Sequence, residues 1–147
     1  MADLKVEQIM VKVLALMKLT ATAGADAERD RDVPVDSDNS ITVEQGDDQL
    51  LDAQGNVLAT SRLQVSIVAG VRKNNTYSTQ INLIRKEVHV AMMAGAQDLG
   101  LPAFVLDVMP EPGAERPEVY GEGGKTVVKM AINFHIDYQY LLTDASA

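Results

Sequence analysis

Residues 121–140 read "GEGGKTVVKMAINFHIDYQY", a glycine-rich turn ending in Gly-Lys-Thr and then an apolar run. A phosphate-binding loop wraps phosphate with its backbone N–H groups and leads into a helix N-terminus. Its first glycine would fall where Val119 stands, and the residues after Lys125 have the wrong period for a helix. Thr126, Val128, Met130, Ile132, Phe134, Ile136, Tyr138 and Tyr140 take every second position, and Val127, Lys129, Ala131, Asn133, His135, Asp137 and Gln139 lie between them. Period two is the pattern of a strand with one buried face. The turn is therefore expected to deliver the chain into a strand. At about fourteen residues, or roughly 45 Å, that strand is more than twice the common length of about five or six. It must curl, bend or project beyond its own subunit, which points to a protein that builds surfaces.

Outward from this strand the chain falls into recognisable pieces. Val6, Ile9, Met10, Val13, Leu14 and Met17 recur at three- and four-residue steps, so residues 3–19 predict a helix with Asp3 as its N-cap. Residues 20–32 are small and polar without period and read as a loop. Short strands are expected at 33–35, on an edge because Pro34 lacks an N–H, and at 40–45. Residues 46–61 carry the turn signal Gly55-Asn56 and read as a protruding hairpin. Leu63, Val65, Ile67, Ala69 and Val71 alternate with polar residues and predict a strand at 62–72. A second helix is expected over 79–99, capped by Thr79, with Ile81, Ile84, Val88, Met92 and Leu99 inward and Gly100 and Pro102 as the stop. Residues 103–109 are a further strand. Residues 110–124, "PEPGAERPEVYGEGG", read as a long loop or flexible arm because of their prolines and glycines. The order predicts a single α+β domain over 1–147, with two helices on one face of a mainly antiparallel, mixed sheet and flexible arms at about 46–61 and 110–124.

Composition narrows the chemistry. The 147 residues suffice for one core without staples. The absence of cysteine excludes disulfides, thiolate zinc sites and cysteine nucleophiles. A net charge of −8 disfavours a broad grip on nucleic acid, but suits a channel through which DNA must slide. The first residues, "MADLKVEQIM", are too charged for a signal peptide or membrane span. His89 and His135 lack ligands at metal spacing and are expected on solvated faces. Asp36, Asp38, Ser40, Glu44 and Asp47 imitate a calcium loop. Ile41 stands where its turn glycine belongs, and an aspartate replaces the terminal glutamate, so a solvated acidic rim is the better reading. No Gly-x-Ser-x-Gly elbow occurs. No catalytic, cofactor or metal residue is assigned.

The amphipathic first helix, the Val-Pro-Val strand, "SITVEQGDD" (40–48), "RLQVSIVAGV" (62–71), "TQINLIRKEVHVAMMA" (79–94) and "INFHIDYQY" (132–140) come in a familiar order. Together they resemble the tail terminator proteins of long-tailed bacteriophages and related contractile particles. The resemblance implies a non-enzymatic virion protein of the tail or neck, assembled in the host cytoplasm. It would form a homo-hexameric ring that caps the tail tube protein, ends its polymerisation and meets the neck or head connector protein, with DNA passing unbound through the lumen. No membrane is involved. Another neck or head-completion ring protein would share these features. A small α+β enzyme or ligand-binding domain is the rival of a different class, and it would need a concave pocket with convergent polar groups. For an assembly interface the arm at 110–124 offers Glu111, Glu115, Arg116 and Glu118 as charges and Tyr120 as an apolar anchor.

Overall fold

A computed structural model describes residues 4–31, 37–54, 57–97, 101–122 and 125–143. The alternating run becomes the strand β6 (Lys125–Leu141), the longest of six. The others are β1 (Ala27–Arg29), β2 (Asn39–Gln54), β3 (Leu58–Arg72), β4 (Val105–Pro110) and β5 (Glu118–Glu122). They form one sheet in the order β1-β2-β3-β6-β4, with β5 also on β6. Every pairing is antiparallel except β1 with β2. Two helices, α1 (Lys5–Lys18) and α2 (Tyr77–Gln97), complete an α+β domain.

Register places the apolar residues of neighbouring strands side by side. Val65 pairs with Phe134, Ile67 with Ile132 and Ala69 with Met130, while Ile41 and Val43 of β2 pair with Ala69 and Ile67. All are buried, and α1 covers them with Ile9, Met10, Val13 and Met17, α2 with Ile81, Ile84, Val88 and Met92. Both helices thus lie on one face of the sheet, as their apolar stripes require. The other face carries Arg62, Gln64, Ser66, Asn133, His135 and Asp137, and no described helix or strand packs over it.

Helix ends differ in detail from expectation. Asp3 lies outside the described residues, and Leu4 occupies the N-cap of α1 with no side-chain cap. The helix stops where Thr20 Oγ1 donates to the Met17 carbonyl at 2.7 Å. Gly24 then passes so close to that helix end that a Cβ would stand 2.7 Å from the Lys18 carbonyl oxygen. The second helix starts at Tyr77, ahead of Thr79, because Thr76 N donates to Asn74 Oδ1 at 2.8 Å in an Asx turn. Leu99 and Gly100 lie outside the described residues, as do residues 33–35.

Two loop assignments are corrected, and the expected hairpin is longer than its turn signal alone implied. Residues 20–32 contain a 3-10 turn, Gly24–Asp26, and the strand β1. Arg31 anchors them by donating to Asp26 Oδ1 at 3.1 Å, to the Asp26 carbonyl at 3.1 Å and to Thr42 Oγ1 at 3.1 Å. The hairpin expected at 46–61 is present as the far half of the β2–β3 pair, and its strands are paired out to Gln54 and Leu58 where a flexible arm was also expected. The strand expected at 40–45 thereby becomes one of 16 residues. Residues 118–122, expected to lack regular structure, pair with β6 from Glu118–Lys129 to Glu122–Lys125. The glycine-rich turn joins two antiparallel strands, β5 and β6, where a phosphate loop would open a helix.

Candidate interaction surfaces

The segment expected to be a long loop or flexible arm runs beside its own sheet. β4 ends at Pro110, and Glu111 N then donates to the Asn133 carbonyl at 2.9 Å, one further bond to β6 before β5 begins at Glu118. Glu115 turns towards α2 and is largely buried. Arg85 Nε donates to Glu115 Oε1 at 2.5 Å, and His89 Nε2 lies 3.1 Å from the same oxygen. The His89 ring in turn rests on Phe134, centroids 5.3 Å apart at 58°. His89 was expected to be solvated; it instead links the strap at 111–117 to the core. His135 was also expected on a solvated face, yet its Nε2 is buried, without a hydrogen bond, 3.4 Å from Glu111 Oε1. That contact is an ion pair only when the imidazole is protonated.

The five expected interface residues therefore divide. Glu111 and Glu115 hold the strap to the rest of its own chain. Arg116, Glu118 and Tyr120 line a shallow cleft of about 270 Å³ with Val68, Lys129 and Asn133. Tyr120 Oη donates to Glu118 Oε2 at 2.5 Å, and Lys129 Nζ sits 5.6 Å above the ring. Donation to Glu118 raises the Tyr120 hydroxyl above its ordinary pKa. Of the five, these three are exposed, whereas Glu111 and Glu115 are partly buried.

Elsewhere the polar groups are spent on structure. Arg62 makes a two-pronged contact with Asp137 across β3 and β6, at 2.9 and 3.1 Å, and that carboxylate raises the guanidinium pKa. Arg29 of β1 bonds Glu7 of α1, which holds the Glu7 carboxyl below the usual range. Thr22 donates to Glu87 through both its backbone N–H and its hydroxyl, fastening the loop after α1 to α2. Among the described residues no group of three His, Asp or Glu side chains is placed to hold a metal ion. Among the described residues no helix is long and apolar enough to cross a membrane.

The sequence matches no protein-family model and no curated protein.

Three exposed features escaped the sequence reading. The first is the outer edge of β2. β1 pairs only with Ile41–Val43, so beyond Val43 that edge has no partner strand among the described residues. The second is the far end of the hairpin, where Leu50, Leu51, Val57, Leu141 and Leu142 are all exposed. The third is a groove of about 470 Å³ between the end of α1 and the outer side of α2, lined by Leu16, Leu19, Leu83, Val90, Ala91 and Ala94. The signal for the groove was present in the sequence: Leu83 and Val90 lie off the stripe that α2 buries, and Leu19 follows the last turn of α1.

Proposed function

We propose that this protein is a structural ring subunit of a phage-like tail, a tail terminator that forms a hexamer, caps the tail tube and meets the neck. The observation that carries the proposal is β2. From Glu44 to Ala53 its residues are exposed without alternation, so most of this 16-residue strand presents its side chains to solvent, with Asp48 tied back to Tyr138. An exposed, partnerless strand edge is an aggregation hazard for a monomer and a ready docking edge for an assembly. Its acidic residues, Glu44, Asp47, Asp48 and Asp52, discourage indiscriminate pairing while leaving room for a matched neighbour. The resemblance in element order supports the number six and the tail as the place.

A neck or head-completion ring would use the same surfaces. The rival reading as a ligand-binding domain draws on the apolar groove, which has the volume of a small-molecule cleft but lacks the convergent polar groups that fix a ligand's orientation. Light scattering up to millimolar protein, followed by negative-stain imaging alone and on assembled tails, tests the proposal. The expected result is a six-fold ring. A strict monomer throughout, with no ring on tails, overturns it.

A further inference from the structure

The apolar groove and the apolar hairpin end lie at opposite ends of the molecule. The start of α1 meets the middle of β2, where Leu4, Val6 and Glu7 line a cleft with Gln45 and Asp48. From there the hairpin continues outward to Gln54. The groove lies at the other end of α1, a helix of 14 residues and so about 21 Å long. The hairpin cannot fold back into the groove of its own chain, whereas a second copy can supply it.

The two surfaces are also chemically matched. The hairpin presents Leu50 and Leu51 between the exposed carboxylates Asp47 and Asp52, with exposed Val57 on the returning side. The groove presents an apolar floor with Lys86 on its rim and Lys18 beside Leu19. Lys86 makes no ion pair among the described residues, and the neighbouring Glu87 carboxylate is already occupied by Thr22. Leu51 falls at the irregularity between Leu50 and Asp52, where one residue of β2 is left without a partner on β3. A bulge of this kind re-aims side chains at a sheet edge.

We infer that the end of the β2–β3 hairpin of one copy docks in the α1–α2 groove of the next copy. Leu50, Leu51 and Val57 meet the apolar lining, and Asp52 faces Lys86. The contact is head-to-tail, the type that closes into a ring when the rotation allows and otherwise grows a filament. Its occupant is chosen on the ring reading above, and it names the surfaces that reading requires. A hairpin end by itself falls short of the roughly 800 Å² per partner of a stable interface. Assembly is therefore expected at high protein concentration or on a tail.

The chain has no cysteine, so cross-linking can be read without background. Full-length Leu51→Cys and Leu83→Cys are mixed at high concentration, oxidised and separated by mass without reductant. Both positions are exposed, and circular dichroism checks that each variant folds. The expected result is a disulfide-linked dimer in the mixture, at least tenfold above either variant alone and above Asn133→Cys mixed with Leu83→Cys. Lys86→Glu should weaken self-association at least tenfold, and adding Asp52→Lys should restore it. Oligomers that form without the 51–83 link, or that ignore the charge exchange, overturn this contact and leave the ring reading standing. A 51–83 link in species that never close into six keeps the contact and removes the ring. A monomer under all conditions overturns both.

Discussion

Tyr138 concentrates more physical constraint than any other side chain on β6. It is almost completely buried, stacked on Tyr140 with centroids 5.7 Å apart and set edge-on to Phe104 at 6.4 Å. Its hydroxyl donates to Asp48 Oδ2 at 2.7 Å, tying β6 to β2 across β3. Burial, and then the bond to Asp48, push the phenol well above its ordinary pKa. The folded state therefore holds this proton more tightly than the unfolded chain does. Its stabilising effect is complete below about pH 10, the unfolded value, and is lost as pH rises towards the folded value. Thermal melts should accordingly be insensitive to this group from pH 7 to 9 and should fall at higher pH. Tyr138→Phe should remove that part of the alkaline fall, at a cost near neutrality of about 1 kcal/mol for one hydrogen bond. An alkaline fall of unchanged size in the variant would assign the effect to other groups, Tyr120 first among them.

At the scale of elements, the strap at 111–117 decides how β4, β5 and α2 are held. Glu115 joins α2 to the edge of β6 through Arg85 and His89, and the Arg85 partner is half exposed, so solvent screens the pair. Glu115→Ala should therefore cost only about 1 kcal/mol globally, yet hydrogen exchange at 111–117 should quicken much more than exchange in β3. Equal changes in both segments would mean that the strap does not open independently. This packing was hidden in the sequence for a physical reason. Pro110, Pro112 and Pro117 exclude a central strand but not an edge, where a missing N–H leaves no ladder bond unmade. The hairpin cue was readable, with Val119 and Tyr120 on one side of Gly123-Gly124 and Val127 and Val128 on the other. By contrast, the inward face of β6 was legible from Val128 to Tyr138, because alternation is written locally in the chain. The helix stripes were legible for the same reason. Glu115, His89 and His135 were not, since their environments come from residues brought together only by the fold. The three-residue β1 left no periodic trace, and its parallel pairing with β2 rests on where α1 returns the chain.

At the scale of the whole molecule, one sheet face is sealed by helices, the other is open and polar, and the β2 side of the hairpin is exposed from Glu44 to Ala53 while its β3 side stays paired with β6. The chain also carries a net charge of −8, so bringing copies together works against long-range repulsion. That repulsion and the Lys86–Asp52 attraction respond to salt in opposite ways. Screening shortens the reach of charge from about 30 Å at 0.01 M to about 10 Å at 0.1 M. Subunit-scale repulsion acts over the longer distance and fades first, whereas a contact pair at a partly desiccated interface is screened less. Apolar contacts between the hairpin and the groove are not weakened by salt at these concentrations. Self-association is therefore expected to strengthen as sodium chloride is raised from about 10 to 150 mM, as followed by sedimentation velocity at fixed protein concentration. The Lys86→Glu variant, more acidic still, should gain proportionally more from salt while remaining the weaker associator. A steady weakening of the unmodified protein over that range would mean that charge pairs, and not the leucines of the hairpin, hold the copies together.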